Sequence, residues 1–166
     1  SCTNMHLNKI NDENYTSFIT AHFNNNKKSI DANSIANILT YTLSHTYYTQ
    51  YLCNKIFASG QKKIDTVLVQ KICTEILLEN EYNYFQYKNL LTSQQWKLLM
   101  AIAKEENADK LHTKAFLKKY DLGTSSSVTR ALTALVDKEM IYLITEDVQK
   151  YYCVYDKFLM RWLQRK

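Results

Sequence analysis

Proline is absent from the 166 residues, and glycine occurs only at Gly60 and Gly123. Without them the chain has no fixed-φ breakers and no material for glycine-rich loops or flexible linkers. Such a composition predicts a mainly α protein whose helices are joined by short connections capped by side chains. Cysteine is sparse too. Cys2, Cys53, Cys73 and Cys153 lie far apart, with no CxxC and no histidine at metal-ligand spacing. That argues against zinc or a disulfide scaffold and for reduced thiols, Cys53 and Cys73 within apolar helical stretches, in a cytoplasmic setting. No apolar run is long enough to span a bilayer and no signal sequence is legible, so no membrane partner is expected. His6, His22, His45 and His112 are scattered, none beside a serine, cysteine or carboxylate pair in a recognisable motif, so no catalytic residue is assigned and the chain alone is not expected to be an enzyme. It opens on Ser1 rather than methionine, as a piece of something longer would.

Charge of one sign is scarce as well. The net charge is +5; residues 1–90 hold 8 Lys+Arg against 7 Asp+Glu, and residues 91–166 hold 13 against 9. The second half is mildly basic, short of a polybasic patch. What the chain has in quantity is tyrosine, 13 in all. Tyrosines at helical spacing are more often core or interface than ligand site.

The most informative stretch runs from Thr92 to Asp156. Thr92-Ser93-Gln94-Gln95 has the form of a capping box, and Trp96, Leu99, Met100 and Ala103 follow as one apolar stripe until the polar run Lys104–Asp109. Thr113 can cap a shorter helix with Phe116, Leu117 and Tyr120 on one face. Asp121-Leu122-Gly123 supplies a tight turn, with Gly123 free to take positive φ. Beyond the candidate caps Thr124–Ser127, Val128, Ala131, Leu132 and Leu135 point inward, while Ser126, Thr129, Arg130, Thr133 and Asp137 share the opposite face. Two helices about one short turn are a helix-turn-helix, whose second helix usually meets the partner. After Met140 the period changes from 3.6 to 2. Ile141–Ile144 and Tyr151–Tyr155 read as strands joined by the polar link Thr145–Lys150, a wing, and Asp156 can cap a last helix with Phe158, Leu159, Trp162 and Leu163 on one face. The expected fold is therefore a small helical bundle over residues 1–90 and a winged helix-turn-helix with a short β-hairpin over residues 91–166. The candidate residues for DNA or a protein partner are Ser126, Thr129, Arg130, Thr133 and Lys150. Few of them are cations, so duplex affinity would be weak at physiological salt, with a log–log slope of roughly 0.9 per neutralised phosphate.

Within the first ninety residues, Met5–Ile10 reads as the stub of a strand, and Tyr15, Phe18, Ile19 and His22 as a helical stripe. Asp31 between Ile30 and Ile35 has the geometry of an N-cap with a hydrophobic staple, and Asp65 between Ile64 and Val69 repeats it. Between them, Leu43–Thr46 interrupts, and a helix with Tyr48, Tyr51, Leu52 and Ile56 inward runs to Gly60. Val69, Ile72, Cys73 and Ile76 face inward in the last of about four helices, and the tyrosine-rich stretch after Glu79 reads as a connector.

Ser44-His45-Thr46-Tyr47-Tyr48-Thr49-Gln50-Tyr51-Leu52-Cys53 resembles the lid subdomain of a prokaryotic family of AAA+/STAND-type P-loop ATPases, related to archaeal ATPases and origin-recognition initiators. Leu91–Trp96, Leu99–Ala103, Ser126–Leu132 and Tyr152–Leu159 with Trp162-Leu163 resemble that family's C-terminal winged helix. The resemblance implies a lid-like bundle, a preceding ATPase core of the same polypeptide as partner, ATP and Mg²⁺ as cofactors of the full-length protein, and His45, Thr46 and Tyr47 facing the nucleotide. Thr46 stands where proline is common in the family, and so does Lys157. No GxxxxGK[ST] can be written here, so the chain alone holds no cofactor and hydrolyses no ATP. The function expected is that of a C-terminal regulatory part of such an ATPase. A free-standing DNA-binding transcriptional regulator and a protein-interaction adaptor are the rivals.

Overall fold

In the computed structural model, residues 11–146 and 149–166 are described, and the expected strand stub Met5–Ile10 lies outside them. Two compact units divide the chain, Ser1–Ile76 and Leu77–Lys166.

The first unit contains α1 (Asp12–Asn25), β1 (Ser29–Ile30), α2 (Ala32–Thr42), α3 (Thr46–Ala58), β2 (Lys63–Ile64) and the start of α4 (Thr66–Leu90). Asp31 caps α2 by accepting from the Ser34 amide, and Asp65 accepts from the Leu68 amide at 2.9 Å. The repeated start signal has a cause that the sequence did not disclose. The residues before each cap form two-residue strands that pair in parallel, Ser29 with Lys63 and Ile30 with Ile64, and α2 and α3 supply the crossover that a parallel pair requires. Strands this short show no alternation, so they read as staples. α1 also departs from expectation. Its buried residues are Tyr15, Ile19 and Phe23, and Phe18 is 61% exposed; the inward stripe is rotated so that Phe23, not Phe18 and His22, enters the core. α2 stops where Leu43 and Ser44 take successive left-handed conformations. The Ser44 amide closes onto the Leu39 carbonyl at 2.9 Å and its hydroxyl donates to Asp12 Oδ1 at 2.5 Å, a helix end satisfied without glycine. Thr42 and Thr49 share a buried hydroxyl contact of 2.8 Å.

α4 is one helix of 25 residues, so the tyrosine-rich stretch after Glu79 is helix and not a connector. Nothing between Gln61 and Leu122 is proline or glycine, and the inward face changes along it: Val69, Ile72, Cys73 and Ile76 are buried in the first half, Leu77 and Tyr84 in the second. That change of face hides the continuous helix from a simple periodicity reading.

The second unit continues with α5 (Ser93–Glu105), α6 (Lys114–Lys119), α7 (Ser125–Asp137), β3 (Ile141–Glu146), β4 (Gln149–Val154) and α8 (Lys157–Gln164). The capping box at Thr92 and Gln95 is formed in both directions. α5 is more deeply enclosed than its stripe implied. Leu98, Leu99, Ala101, Ile102 and Ala103 are all buried while Trp96 and Met100 are only partly so, because α7, α8 and β4 pack around it. β3 and β4 pair antiparallel from Ile141–Val154 to Glu146–Gln149. The expected link Thr145–Lys150 is thus mostly strand, and Lys150 sits in β4 opposite Thr145. Ala108 pairs with Tyr152 on the other side of β4, through N–H···O bonds of 3.0 and 2.9 Å. That isolated bridge falls inside the polar run read only as a helix end. Asp156 caps α8 by accepting from the amides of Phe158 and Leu159. Lys157 is 3% exposed; its ammonium donates to the Val154 carbonyl at 2.7 Å and to the Tyr142 hydroxyl at 3.1 Å. Burial pushes that hydroxyl up to about 12. Three helices beside a two-stranded ribbon, closed by a fourth helix, are the winged helix arrangement. Among the described residues no helix is long and apolar enough to cross a membrane.

Candidate partner interface

The outward face of α7 is assembled by the turn before it. Gly123 takes φ +70° and Asp121 takes φ +51°, which reverses the chain between α6 and α7. Leu122, between them, is fully buried. Its carbonyl accepts from Gln94 Nε2 at 2.7 Å and from Ser127 Oγ at 3.2 Å. Lys97 reaches from α5 to Asp121 Oδ2 at 2.7 Å, and the ammonium holds that carboxyl below its usual range. Thr124 then resolves as the N-cap, its hydroxyl accepting from the Ser127 amide at 3.2 Å. The turn is thereby tied to α5 at two points, and α7 leaves it with a fixed rotation about its own axis.

That rotation buries Val128, Ala131, Leu132 and Leu135, and leaves Ser126, Thr129, Arg130 and Thr133 exposed on the other side. The hydroxyls of Thr129 and Thr133 donate back to the carbonyls of Ser125 and Thr129, each at 3.1 Å, and Ser126 Oγ lies 3.1 Å from Thr124 Oγ1. Each oxygen keeps acceptor capacity toward a partner. Arg130 is the single cation among these four, and Val136 is 40% exposed near the end of the same helix. Lys150 is exposed on β4.

Sequence reasoning missed the residues that border this face. His112 Nδ1 lies 3.0 Å from Ser125 Oγ, across the turn, and Lys114 and Lys118 are exposed on α6. Only the fold brings His112 to the first turn of α7; the exposed lysines carry a signal in the basic composition of α6 itself. Lys119, by contrast, is occupied. It donates to Glu105 Oε1 at 2.6 Å, where Tyr120 also donates at 2.5 Å.

His45, Thr46 and Tyr47 stand in the other unit, at the start of α3, and all three are exposed. His45 occupies the N-cap without a side-chain cap bond and its ring meets Tyr48 edge-on at 5.0 Å. Tyr47 is 62% exposed and lies 5.1 Å from Tyr48 and 6.2 Å from Tyr51. Tyr48 is buried and Tyr51 partly so. On the same helix the Cys53 thiol is pushed up to about 12 by burial, so it is not a reactive thiolate near neutral pH. Among the described residues no group of His, Cys, Asp and Glu is arranged to hold a metal ion.

No curated protein and no solved structure matches the chain. A family model does: the one described as a probable winged helix domain matches residues 82–165, from the second half of α4 through α8. The match spans half of the chain and coincides with the unit whose three helices, ribbon and closing helix have just been described. The chain therefore belongs to the probable winged helix domain family.

Proposed function

We propose that the winged helix engages duplex DNA through the outward face of α7, with Ser126, Thr129 and Thr133 at base edges or phosphates, Arg130 as the principal cation and Lys150 contributing from the wing. The observation that carries this reading is the division of α7 into a buried apolar stripe and a fully exposed hydroxyl-rich face with one arginine. A helix of this kind can lie in a major groove, where hydroxyls and arginine read base edges. With Arg130 and Lys150 neutralising about two phosphates, affinity should fall about 12-fold between 50 and 200 mM salt.

The setting we propose is the C-terminal regulatory part of a P-loop ATPase. What supports it is the resemblance carried by Ser44–Cys53 and by the winged helix segments. The residues present do not fit a triphosphate on their own. Gly60 closes the end of α3, and Gly123 serves the turn before α7, so neither belongs to a phosphate loop. His45, Thr46 and Tyr47 can offer at most one exposed wall to a nucleotide held elsewhere.

Titrating this chain into labelled duplexes at two salt concentrations tests the DNA reading. Weak binding with the stated salt dependence, and a slope reduced by about one in Arg130→Ala, supports it. Absence of binding at low salt overturns it in favour of a protein-interaction adaptor, and salt-tolerant nanomolar binding to one sequence points to a free-standing regulator.

A further inference from the structure

Within the second unit, the end of α4, the turn after α7 and the corner between β4 and α8 surround a cavity of about 460 Å³, with Tyr87, Met140, Tyr155 and Leu159 in its lining. That volume falls in the range of roughly 300–1,000 Å³ typical of small-molecule sites and far exceeds one side chain. Leu159 is buried and Met140 half-buried, whereas Tyr155 is 60% exposed. The cavity is thus apolar at its base and aromatic toward its mouth. From it we infer that this unit binds a small organic cation, an ammonium carried on an apolar body.

Charge selects the cation. Glu139 and Asp156 both line the cavity. The Glu139 carboxylate makes no hydrogen bond or ion pair among the described residues. Asp156 gives Oδ1 to the Phe158 and Leu159 amides at 2.8 and 3.1 Å, which leaves Oδ2 as an acceptor. The C-terminal ends of α4 and α7 also reach the cavity, and their last carbonyls carry partial negative charge. Against these stands one lining cation, Lys138, exposed on a long side chain that can turn to solvent. The first amides of α8 are already taken up by Asp156. An anion would therefore meet two carboxylates, whereas an ammonium gains both and the ring faces of Tyr87 and Tyr155.

The backbone fixes where Glu139 stands. It takes φ +54° directly after α7, with its amide on the Val136 carbonyl at 2.9 Å and the Met140 amide on the Leu135 carbonyl at 3.0 Å. Glycine is the usual residue at this point of a helix end, so the carboxylate can be removed there without harming the fold. The site uses none of Ser126, Thr129, Arg130, Thr133 and Lys150, and it does not rest on the DNA reading.

Phenylbutylamine, phenylbutanol and phenylpentanoate carry one apolar body with a cationic, a neutral and an anionic head. Titrating each into the full, isotope-labelled chain at neutral pH and following the amide chemical shifts tests the assignment. The amine should saturate with a Kd on the order of 0.1–1 mM, at least about fivefold tighter than the alcohol, with the largest shifts at Glu139, Met140 and Tyr155. The acid should bind no tighter than the alcohol. Glu139→Gly should weaken the amine about threefold or more and leave the alcohol unchanged, while the thermal midpoint holds or rises because glycine takes the positive φ freely. Tyr155→Ala should weaken both. An amine that does not saturate, equal affinities for the three heads, shifts centred elsewhere, or a Glu139→Gly chain that keeps full affinity for the amine overturns the inference.

Discussion

Glu105 sits where the end of α5 meets α6, accepting from the Lys119 ammonium and the Tyr120 hydroxyl on one oxygen. These two donors, Lys119 first, hold its carboxyl below the ordinary 4.5. A carboxylate whose folded pKa is depressed adds stability that is present above its unfolded pKa and is lost as pH falls through the folded value. Glu81 acts in the same direction through Trp162 and Lys166, and Asp121 through Lys97, though exposure screens both. The thermal midpoint should accordingly fall as pH is lowered below about 4.5. Glu105→Gln should lower the midpoint at pH 7 by about 1–3 °C and make the decline below pH 4.5 shallower. Melting curves read from pH 7 to pH 3 check this, and an unchanged acid slope would remove Glu105 from the account.

At the scale of elements, what the sequence disclosed is what is local. Each cap at Asp31, Thr92, Thr113 and Asp156 lies within three residues of the amide it serves, so residue type and spacing suffice to place the helix start. The outward face of α7 was legible for the same reason, a 3.6-residue period over thirteen residues. Pairings between distant segments were not. β1 meets β2 across α2 and α3, Ala108 meets β4 across α6 and α7, and the His112–Ser125 contact crosses a turn. Nothing within two or three residues of any of these announces its partner. α5 shows the same limit energetically. Its sequence suggests one stripe through Trp96 and Met100, whereas the fold buries Leu98 completely. Truncating Leu98 to Ala should then cost about 3–4 kcal/mol, and Met100→Ala, at a half-covered position, about 1–2 kcal/mol. Equal costs in urea titrations would mean that the single stripe, not all-round enclosure, describes the helix.

At the scale of the whole molecule, the place where the winged helix begins has a measurable consequence. A boundary at residue 91 follows from the capping box, which is the last strong start signal before the helix-turn-helix. The second half of α4 nevertheless contributes to the packing of α8: Tyr84 is 4% exposed with its ring 5.5 Å from that of Trp162, and Phe85 meets the same indole edge-on at 5.1 Å. Glu81 accepts from the indole nitrogen, and Trp96 reaches it from α5 at 6.3 Å. Removing residues 77–90 would leave one side of Trp162 open and its N–H without that acceptor. Loss of a buried aromatic contact costs about 3–5 kcal/mol, and the indole N–H also loses its carboxylate acceptor. A fragment spanning 77–166 should therefore melt cooperatively, while one spanning 91–166 should be less stable by at least about 3 kcal/mol and show raised tryptophan solvent exposure in fluorescence. Equal stability of the two fragments would place the working edge of the domain at Leu91 and reduce the end of α4 to a tether.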